Sequence, residues 1–360
     1  MTKIHINLNQ NSYDIFIGSN ICHKISEFLE GKNYSKIILI TDRNLAKLHL
    51  EQFEHKVSKT NLLIKKIILD AGENSKNFTN LEKITEEALN LHIDRKSLII
   101  AFGGGVIGDI SGFSASILLR GIDFIQVPTT LLAMTDSSVG GKTAINSNCG
   151  KNLIGSFYQP KLVICDLDFL HSLPDRDFLS GYAEVVKYGL ITDLKFFEFL
   201  EKNIDRIKAR DAKILEEIVA KSCKIKANVV AQDEKEYGLR RILNFGHTFG
   251  HIFETETNYS GEILHGEAVA IGMVLAAKMS QDLGLLSKND VERIKSHLKE
   301  ANLPVSAYNV RKKWNEDSLT THLYKDKKIK NNALTFILLE KIGQYLIKEG
   351  LKIEVLDLRI

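Results

Sequence analysis

Apolar residues fall in short runs through the first half of the chain and at helical spacing through the second. Ile4–Leu8 and Tyr13–Ile17 alternate as strands do, and Asn9-Gln-Asn-Ser12 between them is a hairpin signal. The pattern then predicts a helix over Asn20–Leu29, a buried strand over Lys36–Thr41 and a helix opening at Asp42-Arg43-Asn44. A strand over Leu62–Leu69, a helix over Asn80–Leu91 and a strand over Ser97–Phe102 follow. Alternating strands and helices imply a parallel sheet covered by helices, with ligands beyond the carboxyl ends of its strands.

The texture changes at Pro174. Phe178–Ile191, Leu194–Ile207, Asp211–Gln232, Arg240–Glu254, Gly266–Leu283 and Lys288–Glu300 carry helical periodicity. Leu334–Leu339 and Gln344–Ile347 are expected as short strands. The fold expected is an α/β, Rossmann-like nucleotide-binding domain (1–173) followed by a mainly α-helical metal- and substrate-binding domain (174–360). The active site is expected in the cleft between them.

Composition narrows the partners. The chain has 360 residues, and Lys+Arg 48 against Asp+Glu 45 gives +3 with no basic block. That pattern gives no sign of a nucleic-acid partner. The apolar runs fall short of the roughly 20 residues of a membrane span, and Met-Thr-Lys-Ile-His-Ile-Asn has no signal-peptide core. The four cysteines are scattered, so reduced thiols in a cytoplasmic protein are expected. Cys149 is expected to be a buried, inert thiol.

Three regions carry candidate chemistry. After the strand Ser97–Phe102 comes Gly103-Gly-Gly-Val-Ile-Gly108-Asp109, four glycines in six residues at a strand-to-helix turn. Such a turn lets backbone N–H groups cradle a pyrophosphate. Asp42, ending an earlier strand, suits either a ribose hydroxyl or a helix cap. Further on, Gly140-Gly-Lys142-Thr143 resembles the tail of an ATP-binding loop, but Asp136 stands where its upstream glycine belongs. Arg120, Lys142, Lys151 and Lys187 are instead isolated cations among Gly, Ser, Thr and Asn, a setting for an anionic substrate.

The third region is Asn244-Phe-Gly-His247-Thr-Phe-Gly-His251, continuing to His265-Gly-Glu267. His247 and His251 share a helix face, and such a cluster suits either a divalent ion or a hydrogen-bonded helical hairpin. Upstream, Glu184 and Lys187 are three apart among apolar neighbours. They read as a surface ion pair or as a ligand beside a cation. Glu184, His247 and His265 would form a three-ligand set that leaves positions open for substrate, as catalytic zinc requires. Lys226, Glu236 and Arg240 lie on the approach to His247.

These residues bring a family into view. Gly104–Asp109, Leu119-Arg-Gly121, Pro128-Thr-Thr-Leu-Leu132, Asp136–Thr143, Gly150-Lys-Asn152, Ala183–Gly189, Leu243–His251 and His265–Met273 occur in the order and spacing of 3-dehydroquinate synthase, which the chain resembles over nearly its whole length. The resemblance implies a shikimate-pathway lyase that converts 3-deoxy-D-arabino-heptulosonate 7-phosphate to 3-dehydroquinate and phosphate. Transient oxidation by NAD, β-elimination of phosphate, re-reduction, ring opening and aldol closure would follow one another. It implies NAD, one divalent metal ion (Zn or Co) and a cytoplasmic homodimer.

Position by position, the resemblance gives the metal to Glu184, His247 and His265. It gives NAD to Asp42, Glu73, Lys76, the loop Gly104-Gly105-Val106-Ile107-Gly108-Asp109, Thr129, Thr130, Lys151 and the turn Phe169-Leu170-His171-Ser172. It gives the substrate to Arg120, Asp136, Lys142, Asn152, Lys187, Lys226, Arg240, Asn244 and His251, with Lys327 or Lys328. Among these, His251 would shuttle a proton, and Glu236, Lys142, Lys187, Arg240 and Asn244 join it as catalytic candidates. Ala71 and Ser172 stand where the family often has Asp and Thr. Another sugar phosphate cyclase, or a polyol dehydrogenase of the glycerol dehydrogenase type, is the alternative.

Overall fold

The computed structural model describes residues 1–57, 63–325 and 334–351; Lys327 and Lys328 lie outside them. Its strands are β1 (Thr2–Ile6), β2 (Tyr13–Gly18), β3 (Lys36–Asp42), β4 (Leu63–Leu69), β5 (Leu98–Gly103), β6 (Asp123–Pro128), β7 (Lys142–Ser147), β8 (Gly150–Phe157) and β9 (Leu162–Asp166). The helices among them are α1 (Lys24–Leu29), α2 (Arg43–Val57), α3 (Phe78–Asn90) and α4 (Gly105–Ile117). Then come α5 (Asp175–Thr192), α6 (Leu194–Lys202), α7 (Ile204–Lys208), α8 (Ala212–Gln232), α9 (His247–Glu256), α10 (His265–Asp282), α11 (Lys288–Glu300) and α12 (Glu316–Lys325). The hairpin β10 (Leu334–Lys341) and β11 (Gln344–Leu351) completes the described residues.

The chain divides into two compact units. The first comprises Met1–Leu173 and Leu215–Lys235. It therefore takes in most of α8, which a division at 173/174 gives to the second half. The reason is local: Cys223 Sγ donates to Met134 O (3.2 Å), and Lys226 Nζ donates to Asp136 O and Oδ1 (both 2.7 Å). These bonds tie α8 to the turn after β6.

The main sheet of this unit runs β1-β2-β9-β6-β5-β3-β4, parallel except for the β1–β2 pair. Successive residues of each strand face opposite sides. Ile37, Leu39, Ile100 and Phe102 pack with Ile25 of α1 and Phe53 of α2. Ile38, Ile40, Ile99 and Ala101 pack with Ile84 of α3 and Ile110 of α4. Burial on both faces is why these strands read as unbroken apolar runs. The chain leaves β3 toward β4 on one side and returns to β5 on the other. Asp42 and Gly103 thus end adjacent parallel strands at the point where strand order reverses, the binding edge of such sheets.

The structure departs locally from the expected elements. The helix expected from Asn20 starts at Lys24, because Asp166 accepts the N–H groups of Asn20, Ile21 and Cys22 and holds them as a turn. The hairpin β7–β8 is an element that the apolar pattern does not mark, since its strands are polar at several positions. Lys142 opens β7 rather than a helix, which removes the ATP-loop reading. Cys149 lies exposed in the turn of that hairpin, contrary to the buried thiol expected.

The second unit comprises Pro174–Ile214 and Glu236–Ile360. Within it α10 packs against α5 and α9, and Leu339 N of β10 donates to Ser280 Oγ of α10 (3.0 Å). The single helix expected over Arg240–Glu254 is two pieces, a 3₁₀ turn (Leu239–Asn244) and α9. Gly246 separates them in the left-handed conformation (φ 79°).

Candidate functional site

Two glycines allow α5, α9 and α10 to approach. A Cβ on Gly266 would fall 1.8 Å from Ser180 O of α5, and one on Gly272 would fall 1.9 Å from Gly246 O. Gly266, beside His265, and Gly272, a further six residues along α10, are therefore packing residues, a role that the sequence motif leaves unstated. The close approach brings Glu184 of α5, His247 at the start of α9 and His265 at the start of α10 together. One ligand atom from each lies within 4.8 Å of the other two.

The ring orientations converge as well. Glu184 Oε1 lies 3.5 Å from His247 Nε2 and 3.4 Å from His265 Nε2. His247 Nδ1 faces Phe245 O (3.2 Å), and His265 Nδ1 faces Glu254 Oε2 (3.3 Å). A carbonyl and a carboxylate only accept, so both Nδ1 atoms donate and both Nε2 atoms are turned toward Glu184. Burial draws the His265 imidazolium down, but Glu254 and then Glu184 outweigh it and hold its pKa at about 10. A carboxylate and two imidazole nitrogens turned to one point, each imidazole anchored through its other nitrogen, form a donor set that a divalent ion fits.

Glu184 and Lys187 make a salt bridge, with 0% and 1% of their side chains exposed. The surface-pair reading is thereby excluded. Lys187 also stands over the Tyr188 ring, 5.3 Å from its centroid. His251 adjoins the set without joining it: its ring meets that of His247 edge-on at 5.5 Å. Arg240 is 1% exposed in the 3₁₀ turn. Asn244 Nδ2 donates to Glu236 Oε1 (3.2 Å), and Glu236 has a left-handed backbone (φ 61°).

Two carboxylates near the set have places that the sequence leaves unstated. Glu254 is buried, and its only signal is its position on the helix that carries His247. Glu267, grouped by sequence with the histidines, serves instead as the N3 residue of a capping interaction on α10. Its Oε2 accepts Leu264 N (2.8 Å), while Arg176 holds both its oxygens (2.7 and 2.8 Å). Arg176 also donates to Glu262 O (2.7 Å), which secures the loop that delivers His265.

In the first unit, α4 opens at Gly104 beyond β5 with no side-chain cap. A Cβ on Gly104 would meet Thr130 Cγ2 at 3.1 Å, and one on Gly105 would meet Ser137 Oγ at 3.1 Å. This is a tight backbone cradle at a helix N-terminus, the form that fits a dinucleotide pyrophosphate. Val106, Ile107 and Gly108 form the first turn of α4, and Asp109 there binds Lys76 (2.6 Å). Thr129 N donates to Gly103 O (3.1 Å), which sets Thr129 and Thr130 against the loop. Asp42 Oδ1 accepts Asn44 N and Leu45 N (2.9 and 3.1 Å), so the capping role left open by sequence is observed.

Glu73 Oε1 accepts from Asn146 Nδ2 (2.7 Å). Phe169 stacks edge-on against Phe102 (5.2 Å), and Leu170 is wholly buried beside the more exposed His171. Ser172 Oγ donates to Phe169 O (3.1 Å) and pairs with His49 Nε2 (2.6 Å). Serine therefore keeps a hydrogen-bonding hydroxyl at this turn. Lys142 and Arg120 are exposed, Arg120 with φ 67° in a corner where Leu119 is left-handed too. Lys151 follows the β7–β8 turn, and Asp136 lies in a π-helical turn (Ala133–Ser137).

The comparisons with known proteins agree with one another. A family model described as 3-dehydroquinate synthase N-terminal matches residues 66–180, and one described as 3-dehydroquinate synthase C-terminal matches residues 181–329. The 3-dehydroquinate synthase of Bartonella quintana (strain Toulouse) is 48% identical over 349 residues, covering 95% of this chain and 92% of the relative. The crystal structure of a 2-deoxy-scyllo-inosose synthase complexed with carbaglucose-6-phosphate, NAD⁺ and Co²⁺ has TM-score 0.88. It is 28% identical and covers 97% of this chain and 96% of its own. A 2-epi-5-epi-valiolone synthase from Streptomyces hygroscopicus subsp. jinggangensis 5008, with NAD⁺ and Zn²⁺ bound, has TM-score 0.86. It is 25% identical and covers 94% and 93% of the two chains.

Proposed function

The chain belongs to the 3-dehydroquinate synthase family, and we propose that it closes the family's carbocycle with NAD⁺ and one divalent metal ion, Zn²⁺ or Co²⁺. The substrate is 3-deoxy-D-arabino-heptulosonate 7-phosphate, and the products are 3-dehydroquinate and phosphate. The observation that carries the cofactor reading is the convergence of Glu184, His247 and His265 with both Nδ1 atoms already engaged.

Bound together, the two groups supply a Lewis acid for a ring hydroxyl and a reversible hydride carrier. Glu184, His247 and His265 hold the metal. The amides of the Gly104–Asp109 loop hold the pyrophosphate, with Asp42, Glu73, Lys76, Thr129, Thr130, Lys151 and the Phe169–Ser172 turn around the rest of the cofactor. Lys142, Asn152, Lys187 and Arg240 bind the anionic ends of the substrate, supported by Arg120, Asp136, Lys226 and Asn244. Holding phosphate and carboxylate at once fixes which C–H and C–O bonds line up, and positioning of this kind lowers barriers substantially. His251, beside His247, moves the proton at its imidazole. Glu236 acts through Asn244, whose amide it holds. The substrate's own phosphate takes the proton during its departure, so no further protein base is needed.

The identity to the Bartonella relative exceeds that to the 2-deoxy-scyllo-inosose synthase, which favours the heptulosonate substrate. The reading includes a cytoplasmic homodimer. Among the described residues no helix is long and apolar enough to cross a membrane. The decisive assay follows phosphate and NADH together on the heptulosonate phosphate and on glucose 6-phosphate. Phosphate should appear only with the former, with no NADH accumulating. Steady NADH growth on a polyol would overturn the cyclase reading.

A further inference from the structure

Asn152 is an exposed residue held in the left-handed region (φ 54°) by two separate bonds. Its backbone N–H donates to Asn146 Oδ1 (2.9 Å), and Asn146 is itself fixed by its bond to Glu73. Its side-chain Oδ1 accepts from Lys76 Nζ (2.5 Å). That ammonium, 3% exposed by residue, also donates to Asp109 Oδ2 (2.6 Å) and stands 3.9 Å from Glu73 Oε1. An ammonium carries only donors, so the end of the Asn152 amide that faces it must be the oxygen. Lys76 cannot swing away without taking its ammonium from the half-buried Asp109 carboxylate, which is unfavourable. The amide nitrogen is therefore the end that Asn152 presents elsewhere.

We propose that Lys76 is a positioning residue for substrate recognition, orienting Asn152 so that its two Nδ2 hydrogens meet an anionic oxygen of the sugar phosphate. This rests on the assignment of Asn152 to the substrate. The family resemblance gives Lys76 to the cofactor alone; the geometry gives the same ammonium a second task, on the β7–β8 hairpin. Lys76 and Asp109, beside the cofactor loop, thereby set the donor face offered to the substrate.

The test compares Asn152→Ala with Asn152→Asp. The alanine loses a hydrogen bond to a charged group, expected to raise KM for the heptulosonate phosphate about tenfold. The aspartate pairs one oxygen with Lys76 and turns the other toward the anion, so its KM should rise further, by about another tenfold. An aspartate no worse than the alanine overturns the proposal. Lys76→Met should raise KM in the parent but add nothing in the Asn152→Ala background, with NAD⁺ affinity measured separately by calorimetry. Additive increases overturn it. If Lys76→Met does not fold, the two Asn152 variants decide alone.

Calorimetry with inorganic phosphate should rank parent, alanine and aspartate in the same order. A parent that releases no phosphate from the substrate but keeps this order refutes the proposed activity and supports the orientation. Equal phosphate binding by all three overturns the orientation.

Discussion

Glu254 Oε2 lies 3.3 Å from His265 Nδ1, while the other nitrogen of that ring lies 3.4 Å from Glu184 Oε1. This carboxylate–histidine pair makes Nδ1 the donor and turns Nε2 toward Glu184, and at a metal centre such partners influence affinity strongly. Glu254→Ala should weaken metal binding by about 10–100-fold, read by chelator competition and by the Co²⁺ absorption spectrum. Glu254→Gln, which keeps an accepting oxygen, should lose less. Unchanged metal affinity in the alanine variant would leave Glu254 a purely structural residue.

Removal of the ion should silence the enzyme reversibly. Chelator treatment should abolish phosphate release, and Zn²⁺ or Co²⁺ should restore it. In His265→Ala neither metal should restore activity, and the purified variant should carry little metal. Stoichiometric metal retained by His265→Ala would exclude His265 from the ligand set.

Gly266 tests whether close helix approach assembles the centre. Its Cβ position is occupied by Ser180 O at 1.8 Å, so Gly266→Ala must push α10 away from α5. Overpacking of this kind ordinarily destabilises by about 1–3 kcal/mol, and a clash with backbone falls at the upper end or beyond. Because Glu184 rides on α5 and His265 on α10, metal content should fall along with the thermal midpoint. A variant with lowered Tm but full metal content would show that the centre tolerates the separation.

His297 gives a pH dependence independent of the metal. Burial outweighs the attraction of Glu201 and lowers its pKa from 6.5 to about 4. Its Nε2 pairs with Tyr182 Oη at 2.9 Å. Below 6.5 the unfolded chain takes up a proton that the folded chain refuses until about 4. Stability is therefore full above 6.5 and declines as pH falls through this window, by about 3 kcal/mol in total. Urea midpoints at pH 7 and pH 5 should differ less in His297→Phe than in the parent.

Much of this molecule could be read from its sequence. The apolar runs around Ile38 and Ile99 follow from burial on both sheet faces, and their alternation with periodic helices set the fold class. Residue chemistry nominated Glu184, His247 and His265, because only a few side chains bind a borderline cation and these stood among apolar and glycine neighbours. Glycine clustering likewise marked the turn after β5.

What stayed hidden depended on through-space approach. Spacing places Glu267 in the histidine stretch but cannot show that it caps α10, accepting Leu264 N and held by Arg176. It could not show that Glu254 reaches His265, nor that Lys76 holds the oxygen of Asn152 across 76 positions of sequence. Nor could it assign Lys226 to the unit that holds Asp136, since a helix's periodicity records that one face is buried, not against what. The sequence by itself determined which chemistries were available and the local elements carrying them, because both depend on side-chain type and short-range period. Only the tertiary structure decided how those groups pair and which atoms they present, because that depends on backbones meeting where Gly266 and Gly272 leave no side chain between them.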